Sequence, residues 1–359
     1  MTSAVPENWC RVPQLLDEAL ARRPGRLSAV NAKAWVRETF GKSFPPATYI
    51  LAYHSIYDPA DHEPWEDVYT RGRTTLDAFR RQIDFFCQHM TPIALSDVPG
   101  EYDAEGRASR ATFAVTFDDG YASLSGKAAE HLSKRGISPT VFVNAAFAEG
   151  ECYYRPLVGL LIAAGKEQIL AAYLRQALPD FAWSDDKARL FNDTKDNYVP
   201  GQLEDAIEAV YRAEIGDPAA LRVHLSTAEI IELAKAGWEM GNHTYRHLLL
   251  SHRSEPEIDR DMVSNAAFWQ GKGVVLNDWI AYPNGRARDA SPALGVWMAK
   301  NPKLQGTFCG LGVNLVVERT QWLRIVPGNA QGSSLHQLLE WAIANTRQAY
   351  RVVGGGQEA

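Results

Sequence analysis

Apolar residues follow two rhythms along this chain, and the alternation between the rhythms predicts its architecture. Short strand-like runs, most of them rich in β-branched and aromatic residues, occur at 48–53, 91–95, 112–117, 139–144, 238–242, 278–282, 306–309 and 323–326. The run 112–117 carries hydrophobic residues on both parities, which suits a strand covered on both faces, as in a parallel sheet flanked by helices. Between the runs, apolar residues recur at spacings of three and four. Leu76, Phe79, Ile83 and Phe86 predict one buried face of a helix over 75–89. A second helix, over about 123–135, closes at Gly136, where a left-handed cap is favoured. Ser226-Thr-Ala-Glu229 is a capping box that opens a third, ending at Gly237. Strand, helix and strand over 111–144 make a βαβ unit, and its repetition predicts an α/β fold.

The rhythm changes twice. From 151 to 223 the pattern is helical throughout, as in 156–164 and 203–212, which predicts an α-helical insertion between two strands of one domain, 47–150 and 224–330. Residues 1–46 hold two short helical stretches broken at Pro24-Gly25, an arm packed on the domain or on a partner subunit. Residues 57–73 read as a polar surface loop. The segment 331–359 reads as a closing helix over 334–350 and a loose glycine-rich tail.

Several strands end in chemistry. The first exits at His54. The run 112–117 stops at Asp118-Asp119-Gly120, where one carboxylate can bind a metal while its neighbour takes a proton from the metal's water, although Asp-Asp-Gly is also ordinary turn vocabulary. The run 238–242 delivers His243 and His247, four apart and able to face one point if the segment turns helically; with His252 nearby, a solvated or capping pair is the plainer alternative. The run 278–282 is cut by Pro283-Asn284-Gly285, a tight turn that leaves backbone N–H groups free. In a barrel all carboxyl-terminal strand ends converge on one face. One Asp and two His there would hold a divalent ion with open positions for water and substrate, and the second Asp would supply a base.

Composition narrows the choice. With 359 residues, 46% hydrophobic and 22% charged, the chain can bury a full core unaided. A formal net charge of -6 gives no general attraction to nucleic acid or an anionic membrane. The start has no basic segment followed by an apolar one, and no apolar run reaches membrane-spanning length, so the expected location is cytoplasmic, without a membrane span. Cys10, Cys87, Cys152 and Cys309 are far apart and fit reduced thiols buried as small hydrophobes.

Thr116-Phe117-Asp118-Asp119-Gly120, His243-Thr244-Tyr245-Arg246-His247 and Ala281-Tyr282-Pro283-Asn284-Gly285 resemble the three motifs of the metal-dependent polysaccharide deacetylases, the NodB-like carbohydrate esterase family 4. Tyr53-His54-Ser55-Ile56 resembles the Tyr-His-x-Ile signature of a branch that includes exopolysaccharide N-deacetylases. The resemblance covers about 48–150 and 224–330. It implies a distorted (β/α) barrel, with Asp119, His243 and His247 as metal ligands, Asp118 as general base and His54 as general acid. Tyr282 and Asn284 would flank the turn whose backbone N–H, that of Asn284, faces the oxyanion. Many members carry an arginine where this chain has Ala281; Arg324 offers that charge from a later strand, or makes an ordinary strand-end salt bridge. His336 is superficially like the late histidine of other members but falls in a predicted helix, so His54 is preferred.

The implied cofactor is one divalent ion, zinc first, with nickel, cobalt or iron also suited. The implied substrate is an N-acetylated amino sugar in a glycan, glycan precursor, nucleotide-sugar or small glycoside. Hydrolysis of a formamide or cyclic imide on the same fold, and sugar binding by a degenerate site, are the alternatives. The insertion would lie over the metal as a lid, or, like the arm, offer a homodimer contact.

Overall fold

A computed structural model describes residues 44–346 apart from 70, 71, 287, 288, 290, 310, 311, 316, 318–320, 333, 336, 340, 341, 344 and 345. Nearly all of the expected amino-terminal arm, with Cys10, lies outside the described residues, as do His336 and the end of the closing helix with its tail.

In chain order the strands are β1 (Ala47–Tyr53), β2 (Ile56–Tyr57), β3 (Thr74–Thr75), β4 (Thr91–Pro92), β5 (Ala111–Phe117), β6 (Thr140–Val143), β7 (Glu239–Asn242), β8 (Trp279–Ala281), β9 (Gln305–Phe308) and β10 (Gln321–Ile325). Strands β1, β10, β9, β8, β7, β6 and β5 pair in that order, and a further pairing of β1 with β5 closes the ring. Every pairing in the ring is parallel. The result is a (β/α) barrel of seven strands, with β4 added outside on β5 and β2–β3 as a separate pair.

Successive side chains on a strand point to opposite faces, so each barrel strand feeds two cores. Ile50, Ala114, Phe142, Trp279, Ala281 and Trp322 meet inside the barrel. The alternate positions, among them Tyr49, Leu51, Phe113, Val115, Val141, Ile280 and Leu323, pack outward against helices. The helix Leu76–His89 shows why that layer forms. Thr75 Oγ1 accepts the N–H of Ala78 at 3.3 Å, and Leu76, Phe79, Ile83 and Phe86 are all buried. Each such side chain contributes about 1.5–3 kcal/mol.

Three local expectations change, and two helices are added. The strand expected over 91–95 stops at Pro92, because Leu95 and Val98 turn in a 3-10 helix, Leu95–Glu101, and join the barrel's inner cluster. The loop expected over 57–73 contains the helix Pro64–Val68, held by a Glu63–Glu66 capping box and by burial of Trp65. His243 and His247 lie on irregular backbone, not on a helix. Two further helices, Glu255–Gly271 and Pro292–Lys300, precede β8 and β9.

Between β6 and β7 the helices Tyr154–Ala163, Glu167–Ala177, Lys187–Asp196 and Gln202–Glu214 bury Leu157, Leu170, Leu174, Leu190, Leu203 and Ile207 in a second core. Trp65, Tyr69 and Tyr121 join that core from the barrel side. Among the described residues no helix is long and apolar enough to cross a membrane.

Candidate active site

Equal register along β1 and β5, with Tyr53 opposite Phe117, brings the residues after each strand side by side. The Asp118 N–H donates to the Tyr53 carbonyl at 2.9 Å, and His54 Nε2 stands 3.9 Å from Asp118 Oδ2. Strand parity then carries the interior positions past the strand ends. Asp118 lies two residues beyond Thr116 and Cys309 two beyond Thr307, so both turn toward the barrel axis, where they meet Arg324 of β10.

Arg324 is wholly buried and grips Asp118 with both arms of its guanidinium. Nη1 donates to Oδ1 at 2.6 Å and Nη2 to Oδ2 at 2.8 Å, while Nη1 also reaches Thr116 Oγ1 at 3.2 Å. Cys309 Sγ lies 3.0 Å from Nη2 and 3.7 Å from Asp118 Oδ2. The two readings of Arg324 therefore merge, because the partner of this strand-end salt bridge is the candidate base itself. Burial works against the charge on Asp118, yet Arg324, together with His243 and His54, outweighs it and holds the carboxyl below its ordinary range. Burial pushes the Cys309 thiol up to about 12.

Asp119 faces a different set of partners. Its Oδ1 lies 3.2 Å from His243 Nε2 and 3.4 Å from His247 Nε2, and it is buried with no hydrogen-bond donor. His243 Nδ1 sits 2.7 Å from the Ala281 carbonyl. A carbonyl only accepts, so Nδ1 carries a proton and Nε2 is the nitrogen turned to Asp119. Burial works against a second proton, yet Asp119 and Asp118 outweigh it and hold the ring above its ordinary range. Burial pushes His247 down to about 4, which leaves that ring neutral. Ligand atoms of Asp119, His243 and His247 all lie within 4.8 Å of one another. An orphaned carboxylate oxygen facing the Nε2 atoms of two imidazoles is a donor set that fits a divalent cation.

The backbone is bent to make this possible. Asp119, Thr244, His247 and Asn284 have φ of 67°, 66°, 56° and 63°, and they are the non-glycine residues with positive φ among those described. Such conformations cost about 1–3 kcal/mol each and persist where surrounding contacts impose them. Here Asn144 Nδ2 donates to the carbonyls of His243 and Thr244 at 2.6 and 2.8 Å, and Asn242 Oδ1 accepts the Thr244 N–H at 2.9 Å.

His54 is the open member of the group, its side chain 24% exposed against 3% for Asp118. A Cβ on Gly72, which has φ +71°, would come within 2.7 Å of His54 Cγ, so that glycine lets the chain pass close to the imidazole. Tyr282 departs from expectation. Being one residue beyond the interior-facing Ala281, it points outward: its hydroxyl donates to Gln321 Oε1 at 3.1 Å and its N–H to the Thr307 carbonyl at 3.2 Å. It packs in the outer core and brings no polar group to the metal pocket, whereas Asn284 occupies the tight turn.

The insertion reaches the site at two points. The Tyr153 ring lies 5.2 Å from that of His247. His224, where the chain returns from the insertion, places Nδ1 2.9 Å from the Asp119 carbonyl and stacks between Phe147 and Tyr121 at 4.4 and 5.2 Å. Burial pushes the His224 ring down to about 4. Neither residue was singled out in the sequence, nor was Cys309 as a polar neighbour. Only Cys309 carried a signal, its place directly after a predicted strand.

A family model described as polysaccharide deacetylase matches residues 105–295, more than half of the chain. The structure is similar to that of the Streptococcus pyogenes deacetylase PplD in complex with acetate, at 16% identity and TM-score 0.52, covering 82% of this chain and 99% of that one. It is also similar to IcaB from Ammonifex degensii, at 17% identity and TM-score 0.51, covering 83% and 97%. No curated protein matches the sequence.

Proposed function

The chain belongs to the polysaccharide deacetylase family, and from that premise we propose that it is a metal-dependent hydrolase that removes the N-acetyl group of an amino sugar. The observation that carries the reading is the meeting of Asp119, His243 and His247 around one point, with the Asp118–Arg324 pair beside it. Asp119, His243 and His247 would hold the ion, for which zinc suits two imidazoles and a carboxylate. When bound, it polarises the amide carbonyl and makes water easier to deprotonate.

The remaining steps fall to the chain. Asp118 takes a proton from the attacking water, and Arg324 keeps that carboxylate ionised and fixed in direction. The water oxygen bonds to the acetyl carbon, and the N–H of Asn284 is assigned to the resulting oxyanion, since that of Tyr282 is spent on Thr307. His54, on the open side, gives a proton to the nitrogen as the carbon–nitrogen bond breaks, which leaves acetate and a free amine.

The test is release of acetate from N-acetylglucosamine oligomers by the zinc-loaded chain. Acetate should form, stop with a chelator and resume when zinc is restored. Release of formate from an N-formylated sugar, with no acetate from the acetylated one, would move the substrate class; release of neither would remove the proposal.

A further inference from the structure

We propose that His224 is a positioning residue for Asp119, through which the insertion fixes the geometry of the metal pocket. The inference rests on Asp119 being a metal ligand. Asp119 stands in the left-handed region at φ 67°, a conformation that is costly for a residue with a Cβ, though less so for Asp than for most, and that surrounding contacts can hold. The holding contacts come from the chain that leaves the insertion. The Ala122 N–H donates to the Val223 carbonyl at 3.0 Å and the Leu225 N–H to the Gly120 carbonyl at 2.8 Å, so His224 lies antiparallel across from Tyr121. From there its side chain reaches back to the carbonyl of Asp119 itself. That carbonyl only accepts, so Nδ1–H is the donor and the ring is the neutral tautomer with its proton on that nitrogen. Stacking between Tyr121 and Phe147 fixes the plane of the ring and hence the direction of the bond. Rotation of the Asp119 peptide would carry Oδ1 away from the two imidazole nitrogens that it faces at 3.2 and 3.4 Å.

A buried histidine between two rings could serve only as packing, and two substitutions separate packing from positioning. His224→Phe keeps the stacked ring and removes the donor. His224→Asn removes the ring and keeps an N–H near the place of Nδ1. Zinc affinity of the full chain is measured by competition with a chromophoric chelator, and the melting point of each variant is taken with excess chelator. The phenylalanine variant should lose about 10–100-fold in zinc affinity, while the asparagine variant stays within about threefold of wild type, as expected when a partner orients a metal ligand. In chelator the phenylalanine variant should melt close to wild type, so that its loss is not one of folding. Wild-type affinity in the phenylalanine variant, or an equal loss in both, overturns the inference while leaving the deacetylase reading intact. A wild-type chain that takes up no zinc overturns both.

Discussion

The barrel core and the insertion core are built from the same apolar residue types, yet among the described residues only the barrel brings a carboxylate and two imidazoles to a common point. In the barrel, His54, Asp118, Asp119, His243 and Cys309 all follow the ends of parallel strands, and closure of the ring turns those ends to one mouth. In the insertion the ion pairs Lys166–Glu214, Arg175–Asp185 and Arg212–Glu208 lie on helix flanks, and the more buried Lys195 turns to Asp289, away from the metal pocket residues. Helices packed side by side share an apolar face, and nothing in that arrangement makes polar ends converge. The insertion therefore acts on the site only at its margins, through Tyr153 against His247 and His224 on Asp119.

That division can be broken by substitution. Asp118→Asn keeps the shape of the side chain but removes the base, and kcat for acetate release should fall by about 10²–10⁴. Zinc content should not change, because Asp119 and the two histidines form the pocket. Loss of zinc in this variant would make Asp118 a ligand instead. Arg324→Met leaves Asp118 buried without its cation, and denaturant unfolding should show a loss of about 3–5 kcal/mol together with weak activity. An unchanged unfolding midpoint would mean that the pair contributes nothing to the barrel. Leu190→Ala, at a fully buried position of the insertion core, should cost about 2–5 kcal/mol. Because the insertion core holds no ligand, zinc affinity should stay within about twofold, and a collapse of zinc binding in the folded variant would erase the distinction between the two cores.

Sequence was most informative where chemistry and strand ends coincide. Asp118, Asp119, His243 and His247 were legible because each follows an apolar run, and the barrel that makes them converge was implied by the βαβ rhythm. Backbone conformation was not. His243 and His247 meet through two left-handed residues, Thr244 and His247, and not through a helical turn, which a spacing of four cannot tell apart. Arg324 looked like any charged residue on a strand, since its partner stands over two hundred positions away and β10 nears the end of β5 only because both flank β1. Tyr282 was placed at the site because it adjoins the turn, but strand parity points it outward. His224 had no pattern to mark it, for its role depends on where the chain returns after four helices. The helix Pro64–Val68 was hidden in polar residues, because burial of one indole decides it.

The central claim is that Asp119, His243 and His247 share one ion, and anomalous diffraction from crystals of the zinc-loaded chain tests it most directly. A single strong peak about 2.0–2.2 Å from Asp119 Oδ1 and from Nε2 of both histidines is the expected result. A zinc peak elsewhere in the molecule, with these three side chains bonded only to one another, would contradict the account.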